Sequence, residues 1–422
     1  MILSKEDVLG ARASRPQIQD DDLLSNTRYV FCARDARAPR IAGVRNGRPN
    51  ARHAEVSSLH SVISQAKILL SNLDKRSERV RVLFIGGTGN ISTACSRLAI
   101  ERGIDLFVLN RGHQADLPLD AGHFLRGDIR DRKSAGQALR LLEFDAVVDW
   151  VAFEVNHVET DIDLFRQRTQ QYVFISSAST YQKPPAHYRI TESTPLANPF
   201  WQYSRDKIAC EERLNKERRS AGFPVTIVRP SYTYGETWIP CVVAGHGYTV
   251  IDRMRKGKKV IVHGDGQSLW TMTHNSDFAK GLVGILGNDA AIGESVHITS
   301  DEVLTWDQVF EAIGAAAGAR PRIVHVPSEW INAFDPETGA GLLGDKAYSM
   351  VFDNTKIKRL VPGFEATVPF AEGIRRSVAW FDADESRRTI DKNRDRMMDR
   401  IIEEFQAAWP KQEAEMRGEK SG

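Results

Sequence analysis

From residue 80 onward, short apolar runs alternate with longer segments whose apolar residues recur at helical spacing. The apolar runs predict strands over residues 82–85, 106–109, 123–125, 146–148, 172–175 and 225–228. The segments between them predict helices, for example over residues 91–102, 133–142, 158–168 and 203–219. Strands that alternate with helices are typical of a parallel sheet with helices on both faces. The pattern therefore predicts an α/β fold built on a doubly wound parallel sheet with right-handed crossovers.

The two ends of the chain depart from this alternation. Residues 1–79 contain an Arg-rich run with little apolar periodicity, which predicts a largely disordered N-terminal extension; a basic arm for nucleic acid or an organelle address is the alternative. Residues 80–235 are assigned to the sheet domain, and residues 236–383 to a smaller mixed region over its carboxyl edge, with the ligand bound between the two. Residues 384–422 are predicted to be a helical tail, because Met397, Ile401, Ile402, Phe405 and Trp409 follow helical spacing.

Composition narrows the classes of partner. The chain has 57 Lys and Arg against 55 Asp and Glu, a net charge of +2, so no nucleic-acid partner is expected. No apolar run approaches the roughly 18 residues of a spanning helix, so no membrane association is expected. The four cysteines lie far apart, which is typical of a reducing compartment, and the histidines lack metal-ligand spacing. The prediction is a cytoplasmic protein without a metal site.

A glycine-rich turn follows the first predicted strand and opens the first predicted helix. It runs from Gly86 to Ser92, where backbone N–H groups and the positive end of the helix can face a pyrophosphate. Ser92 stands where the fingerprint usually has glycine or alanine, and a purely structural turn is the alternative. We predict a Rossmann domain that binds NAD or NADP through this turn. The predicted contacts are Gly86, Thr88, Gly89, Asn90 and Ile91.

Asn110 and Arg111 follow the second predicted strand, where the choice between NAD and NADP is normally made. No acid stands there to repel a 2′-phosphate, and Arg111 could bind one. Asn110 could instead hydrogen-bond a ribose hydroxyl. The sequence predicts cofactor contacts from both residues and leaves NAD or NADP open.

Tyr203 and Lys207 are four residues apart and share one face of a predicted helix. A nearby ammonium, together with a positive nicotinamide ring, is expected to bring the tyrosine pKa from about 10 toward neutrality, so that the phenol shuttles a proton. Ser177 follows a predicted strand at the carboxyl edge of the sheet, where its hydroxyl could orient a substrate oxygen. A Tyr and a Lys at this spacing are by themselves common on protein surfaces. Here the pair follows a nucleotide-binding turn and a serine-rich strand end in the chain, and that order favours a catalytic role.

Taken in order, these motifs make the chain resemble the extended short-chain dehydrogenase/reductase family, in its NAD-dependent epimerase/dehydratase branch. The resemblance covers about residues 80–383 and is carried by segments 86–92, 127–130, 176–181, 203–207, 229–235 and 264–266. It implies that Ser177 orients the substrate, that Tyr203 is the acid/base, and that Lys207 holds the nicotinamide ribose. Tyr203 and Lys207 are thereby also implied cofactor contacts, and a homodimer is implied as the assembly.

The resemblance extends the cofactor site beyond the glycine turn. The implied contacts are Asp128 and Ile129 beside the adenine, Trp150 and Val151 along the cofactor, Ser176 at the serine-rich strand end, and Pro230 and Ser231 near the nicotinamide. Read from the residues alone, Asp128 could be a turn or helix-cap acid, Trp150 a core aromatic and Pro230 a strand terminator.

One departure from the pattern bears on the substrate. In sugar-nucleotide epimerases an arginine that clamps the diphosphate follows the turn at residues 264–266, and here Trp270 stands in its place. An indole cannot supply charged bidentate donors, so we expect a less charged ligand, oriented by Ser177 and stacked on Trp201 or Trp270. Asp149 is either an orienting acid beside the cofactor or a loop carboxylate.

The predicted function is NAD(P)-dependent oxidation of a carbinol or reduction of a carbonyl in a sugar-like or other small molecule, by an epimerase, dehydratase or reductase. Dehydration would need a further acid or base, for which Glu154 or Asp149 is a candidate. The alternative is a non-catalytic nucleotide-sensing or RNA-binding protein on the same fold. Superfamily members of that kind often lose the Tyr/Lys pair, which this chain retains.

Overall fold

The computed structural model describes residues 79–112, 122–140 and 142–408. The predicted extension at residues 1–79, apart from Arg79, lies outside the described residues, as does Trp409 of the predicted tail.

The strands are short, and most of them carry apolar side chains. They are β1 (Arg81–Ile85), β2 (Asp105–Asn110), β3 (His123–Arg126), β4 (Phe144–Asp149), β5 (Thr169–Ile175), β6 (Arg189–Ile190), β7 (Val225–Pro230), β8 (Tyr232–Tyr234), β9 (Lys259–His263), β10 (Leu269–Trp270), β11 (Met272–His274), β12 (Ser295–Ile298), β13 (Leu304–Thr305), β14 (Arg322–Val326) and β15 (Val351–Phe352).

Helices fill most of the intervals between the strands. They are α1 (Ser92–Glu101), α2 (Arg132–Ala138), α3 (Val155–Phe165), α4 (Gln202–Ala221), α5 (Thr249–Arg255), α6 (Asn275–Ile285), α7 (Trp306–Ala317), α8 (Ser328–Phe334), α9 (Pro336–Gly341), α10 (Thr355–Leu360), α11 (Phe370–Asp382) and α12 (Lys392–Ala408). Short 3-10 turns occur at Ala178–Thr180, Asp289–Ala291 and Glu385–Arg387, and a π-helical turn at Leu342–Lys346.

Seven strands form one parallel sheet in the order β12-β7-β5-β4-β1-β2-β3. The predicted strands are all present in it, and α1 to α4 match the predicted helices to within a few residues. Alternate residues of β1 face opposite layers: Val82 and Phe84 pack with α1 and α6, whereas Leu83 and Ile85 pack with α3 and α4. The two buried faces explain why the strands are continuous apolar runs.

The order of the strands reverses beside β1. The chain moves from β1 outward to β2 and β3, then returns to β4 on the other side of β1, where Ile85 lies opposite Asp149. A crevice opens at the carboxyl ends of two strands whose connections diverge in this way, and ligands of open α/β sheets bind there. The residues after β1 and after β4 are therefore placed at the expected ligand site.

The seventh strand, β12, corrects the predicted division of the chain. It lies within residues 236–383, which were assigned to the mixed region, yet it pairs with β7 at the edge of the main sheet. Helix α6 from the same range packs against α1 on one face of that sheet. The sheet domain therefore extends beyond residue 235, and the mixed region supplies part of it.

The rest of the C-terminal half forms a second apolar core over the carboxyl edge. It combines the small strand pairs β8 with β11, β9 with β14 and β10 with β13, together with α5, α7 and α11. The predicted tail helix is α12, which buries Met398, Ile401 and Ile402 in this core. In the described ranges, no helix has the length and apolar character needed to cross a membrane.

Candidate active site

The glycine turn after β1 is shaped by close contact with the chain after β4. Gly86 has φ +96° and Gly87 has φ +93°, values that residues with side chains rarely adopt. A Cβ on Gly86 would lie 3.2 Å from Val151 Cγ1 and 3.3 Å from Trp150 Cβ. Glycine is therefore needed here, and the predicted contacts Trp150 and Val151 do lie beside the turn.

Polar side chains fix the rest of this turn. The Gly89 N–H donates to the hydroxyl of Ser92 at 2.8 Å, so the residue that departs from the fingerprint has a partner within the turn. Asn90 donates to the Thr233 carbonyl at 3.2 Å, and Asn275 donates to the Asn90 carbonyl at 2.8 Å. Asn90 thus ties the turn to β8 and to the start of α6.

The end of β2 presents the two residues predicted to choose the cofactor. The Asn110 side-chain oxygen accepts a hydrogen bond from the Gly112 N–H at 2.9 Å. Its amide nitrogen is buried and, within the described part of the chain, has no hydrogen-bond partner. Arg111 is exposed. The free amide and the exposed guanidinium are both suited to a ribose or its phosphate.

Asp128 and Ile129 lie on the loop between β3 and α2. One Asp128 carboxylate oxygen accepts from the Arg130 N–H at 2.9 Å, and the Asp128 N–H donates to the Ser134 hydroxyl at 3.1 Å. Ile129 is buried in the core beneath this loop. The Arg130 guanidinium reaches across to donate to the Val151 carbonyl. The loop after β3 is thereby joined to the loop after β4.

Asp149 shapes the loop after β4. Its buried carboxylate accepts from the backbone N–H groups of Val151 at 2.5 Å and Ala152 at 2.8 Å. Of the two roles considered for Asp149, these contacts favour that of a carboxylate that holds its own loop. Behind it lies Asp161, which accepts from the Tyr172 hydroxyl at 2.6 Å. Burial raises the pKa of Asp161 well above its ordinary value, and the adjacent Asp149 charge raises it further. A protonated Asp161 can donate a hydrogen bond to Asp149, since each carboxyl group has one buried oxygen without a partner among the described residues.

Glu154, the other candidate acid for dehydration, begins α3 as part of a reciprocal cap. Its side chain accepts from the His157 N–H, and the His157 ring accepts from the Glu154 N–H. Burial lowers the pKa of His157 to about 4, so the ring is neutral and acts as the acceptor. Glu154 is thus engaged in helix capping.

Ser176 is held by a buried ion pair. Its hydroxyl donates to Glu211 of α4, and the same carboxylate receives two hydrogen bonds from Arg229 of β7, at 3.0 and 2.6 Å. Arg229 and Glu211 are only 4% and 1% exposed at the side chain. The pair joins the ends of β5 and β7 to the helix that carries Tyr203. Ser176, predicted as a cofactor contact, has its hydroxyl committed to this pair.

Ser177 belongs to a run of three buried hydroxyls. Ser204 donates to the Ser179 hydroxyl at 2.7 Å, and Ser179 and Ser177 are 2.9 Å apart between hydroxyl oxygens. The Ser179 N–H also donates to the Ser177 oxygen at 3.2 Å. While it accepts from Ser204, Ser179 can donate its own proton to Ser177, and in that arrangement the Ser177 proton can point outward.

Tyr203 lies in the first turn of α4, between the rings of Trp201 and Phe153, with centroids 4.8 and 6.4 Å away. Its hydroxyl oxygen is buried and makes no hydrogen bond of good geometry in the described ranges, although Ser177 is close enough to influence it. Burial raises the pKa of Tyr203 well above its ordinary value, Ser177 opposes this rise, and the charge of Asp345 adds to it.

Lys207 is buried one helical turn beyond Tyr203. Its ammonium donates to the carbonyls of Ala152 at 2.6 Å and Ile175 at 2.7 Å, and lies 5.9 Å from the centroid of the Tyr203 ring. Burial lowers the pKa of Lys207 to about 8. Among the protein groups, burial of the phenol outweighs this ammonium, which is held by two carbonyls. The predicted lowering of the Tyr203 pKa also involves a positive nicotinamide ring, and it stays a prediction.

The remaining residues predicted for the nicotinamide end lie close by. Trp201 immediately precedes α4 and packs on Tyr203. Pro230 ends β7, and Ser231 follows it; both are buried, and the Ser231 hydroxyl donates to the Thr271 carbonyl at 3.5 Å.

Trp270 is not where its prediction as a substrate contact requires it. It has no exposed surface, and its ring packs on Trp306 and Phe352, with centroids 6.2 and 6.4 Å away. The prediction is wrong because the strand β10 turns this side chain into the C-terminal core. Of the two tryptophans, Trp201 alone lies beside Tyr203.

A buried charged cluster near Trp201 was missed from the sequence. Lys346 donates to Asp345 at 2.9 Å, and the Lys183 ammonium lies 3.4 Å from the other Asp345 oxygen. Despite burial, which acts in the opposite sense, Lys346 and Lys183 lower the pKa of Asp345. Lys183 and Asp345 are far apart in the chain, so only the Asp-Lys pair at 345 and 346 gave a local signal.

The residues of the crevice fit a dinucleotide. The close contact at Gly86 leaves no room for a Cβ, and half-buried Thr88 and Ile91 precede the uncapped N-terminus of α1. A helix N-terminus of this kind suits a pyrophosphate. Further along, buried atoms without a hydrogen bond among the described residues line the same edge of the sheet. They are Asn110 Nδ2, Trp150 Nε1 and Tyr203 Oη.

Comparison with known proteins finds one family and several individual relatives. Residues 82–299 match the NAD dependent epimerase/dehydratase family. The 2'-dehydrokanamycin reductase of Streptomyces kanamyceticus is 26% identical over 310 residues, which are 70% of this chain and 84% of the reductase. The chloroplast stem-loop binding protein of 41 kDa b from Arabidopsis thaliana is 26% identical over 271 residues, 59% of this chain and 66% of that protein.

A solved structure shows the same fold. The dTDP-glucose 4,6-dehydratase of Bacillus anthracis in complex with NAD superposes with a TM-score of 0.59 and 19% identity, covering 73% of this chain and 98% of the dehydratase. The family match extends over more than half of the chain. The protein is therefore an enzyme of the NAD dependent epimerase/dehydratase family.

Proposed function

We propose that the protein moves a hydride between a nicotinamide dinucleotide and a carbinol or carbonyl carbon of a small, sugar-like substrate, with Tyr203 as the acid/base. The observation that carries this proposal is the buried Tyr203 hydroxyl, which lacks a good hydrogen bond in the described ranges and lies near Ser177 and Lys207. The dinucleotide supplies the hydride donor or acceptor when bound; the protein supplies binding, orientation and the proton.

Tyr203 is the proposed proton donor. A phenol is protonated at neutral pH, and burial raises the pKa of Tyr203 further, so its hydroxyl holds the proton that the carbonyl oxygen receives on reduction. In the opposite direction the phenolate that remains receives the proton of a carbinol. The buried cation of Lys207 opposes the cost of that phenolate, because its charge lies within 6 Å of the ring.

Ser177 is proposed to position the substrate oxygen, and Lys207 is proposed to bind the cofactor ribose. The outward proton of Ser177 can hydrogen-bond the same substrate oxygen and hold it against the Tyr203 hydroxyl. Lys207 uses two of its three N–H donors on the carbonyls of Ala152 and Ile175, which leaves one donor for a ribose hydroxyl. The same two carbonyls fix the position of that third donor.

NAD is the proposed cofactor, with NADP as the alternative. The relationship to an NAD dependent family and the free Asn110 amide, which suits a ribose hydroxyl, support NAD. The exposed Arg111 supports NADP, because a guanidinium can pair with a 2′-phosphate. Arg111→Ala should weaken NADP binding and leave NAD binding unchanged; equal losses for both cofactors would remove the argument for a phosphate contact.

The proposal is tested by identifying the cofactor and then the reaction. Mass spectrometry of the nucleotide released from purified protein identifies the cofactor, and a panel of ketoses, sugar nucleotides and aromatic carbonyls is screened for cofactor reduction or oxidation. Turnover that consumes cofactor indicates a dehydrogenase or reductase; conversion without net consumption indicates an epimerase or dehydratase. A protein that binds no dinucleotide in any form contradicts the proposal.

RNA binding is not proposed, although one relative is named for stem-loop binding. The chain has Ser177, Tyr203 and Lys207 together in one site, and its net charge of +2 gives no general attraction for a polyanion. Cytoplasmic location and a homodimer stay predictions.

A further inference from the structure

We propose that Lys183 and Lys346 form a subsite for an anionic group of the substrate, a carboxylate or a phosphate, held in place by Asp345. The inference rests on the proposed function, because it concerns the substrate that Tyr203 acts on. It deepens that function by naming the charge of the substrate.

The first argument is the charge balance of the cluster. Two ammonium groups share one carboxylate, and the three side chains are 0%, 2% and 10% exposed. Burial lowers the pKa of Lys183, whereas the charge of Asp345 raises it and favours the protonated form. With both lysines protonated, the cluster carries one positive charge more than Asp345 neutralises. An uncompensated charge is costly when removed from water, and an anion that enters beside it offsets that cost.

The second argument is the set of unused hydrogen-bonding positions. The Lys346 ammonium has three N–H donors and makes one hydrogen bond within the described part of the chain, to Asp345. It otherwise faces the rings of Trp201 and Tyr232, each with its centroid 5.4 Å away. The second oxygen of Asp345 faces the Lys183 ammonium, 3.4 Å away. The unused N–H donors of Lys346 are therefore the groups that can bind a ligand oxygen.

The third argument is its position relative to Tyr203. The ring of Trp201, which Lys346 faces, lies 4.8 Å from the ring of Tyr203 between centroids. Burial is the main cause of the raised pKa of Tyr203, and Asp345 is close enough for its charge to add to that rise. An anionic group bound at the lysines thus lies one aromatic ring away from the reacting end of the substrate.

The fourth argument is the way the backbone holds the cluster. Asp345 and Lys346 lie on the π-helical turn Leu342–Lys346, an uncommon conformation that occurs often at functional sites. The side-chain amide of Asn198 donates both to the Gly344 carbonyl at 2.6 Å and to the Ser179 carbonyl at 2.8 Å. One side chain therefore fixes the π-helical turn to the serine turn that carries Ser177.

The subsite predicts a preference among substrates. A substrate with a carboxylate or phosphate should bind, whereas a polycationic substrate should be repelled by the surplus positive charge.

Anion binding to the NAD-saturated enzyme tests the proposal without turnover. The probes are inorganic phosphate and acetate, and their binding is measured by calorimetric titration. The anion with the higher affinity identifies the class that the subsite prefers. Lys346→Met and Lys183→Met should each weaken binding about tenfold or more, since a charged hydrogen bond is lost. Asp345→Asn should tighten it severalfold, because the surplus charge doubles. Lys256→Met is the matched control, since Lys256 pairs with Asp252 on the surface.

The lysine variants should weaken anion binding and Asp345→Asn should strengthen it, and this difference in direction distinguishes an anion subsite from a purely structural cluster. If the cluster only supports the fold, Asp345→Asn weakens anion binding together with the lysine variants, and that result overturns the proposal. Wild-type enzyme that binds neither anion saturably also overturns it. Both outcomes are distinct from failure of the proposed function, because NAD affinity is measured first on the same samples and its loss contradicts the proposed function alone.

Discussion

Replacing Glu211 by glutamine should destabilise the protein while changing almost no volume. Glu211 is the buried carboxylate that receives two hydrogen bonds from Arg229 and one from Ser176. Glutamine keeps one acceptor oxygen but presents an amide, itself a donor, where the second oxygen stood. The Arg229 guanidinium would then lie buried without a counter-charge.

The magnitude follows from burial and from the contacts that survive. Breaking a buried ion pair by removing one partner costs about 3–5 kcal/mol. The contact of Arg229 with the Tyr181 ring, 4.9 Å from the ring centroid, is present in both forms and does not change the difference between them. The expected loss in the free energy of unfolding is therefore about 3–5 kcal/mol.

Urea unfolding followed by circular dichroism measures this loss. Glu212→Gln is the control, since Glu212 is the exposed neighbour on the same helix and should change the free energy of unfolding by less than about 0.5 kcal/mol. A double variant with leucine at both 211 and 229 should recover part of the loss, because it leaves no unpaired charge. A loss below about 1 kcal/mol for Glu211→Gln would refute the reasoning.

Three further predictions concern the cofactor crevice. Gly86→Ala should lower the free energy of unfolding by about 1–3 kcal/mol and weaken NAD binding, because φ is +96° and the new Cβ would press on Val151; a stability and an affinity equal to wild type would show that the turn is not constrained. Asp161→Asn should keep most activity, since an amide can still donate to Asp149, which holds the loop after β4. Asp161→Leu should lower kcat with little change in KM, because it removes that donor; equal activity of both variants in steady-state assays would contradict a positioning role. Burial lowers the pKa of Lys207 to about 8, and the protonated form is required, so kcat/KM should fall as pH rises through about 8. The free energy of unfolding should rise between about pH 8 and 10.5, because the unfolded chain still holds the proton that the folded chain has lost. A flat kcat/KM profile would exclude the role of the charge.

The main sheet could be predicted because its strands are continuous apolar runs separated by helices of ordinary length. The seventh strand, β12, was missed, since Ser295–Ile298 has four residues and follows a glycine in a region of loops. Residues 295–298 form a strand because they pair with β7, about 70 residues earlier in the chain. The apolar pattern within the segment itself does not predict that pairing.

The candidate site divides in the same way. Gly86, Ser177, Tyr203 and Lys207 could be predicted because each belongs to a local motif with a fixed place relative to a strand or helix. The effect of burial on the Tyr203 phenol could not, since it depends on rings and charges from separate segments. The same holds for Lys183 and Asp345, which only the folded chain brings together.

The most direct test of the central claim is a rapid-mixing measurement of hydride transfer with Tyr203→Phe, using the substrate found in the screen. The claim predicts that NAD affinity stays within about twofold of wild type while the rate of hydride transfer falls by about a hundredfold or more, because only the transferable proton is removed. A variant that transfers hydride at nearly the wild-type rate would contradict the account.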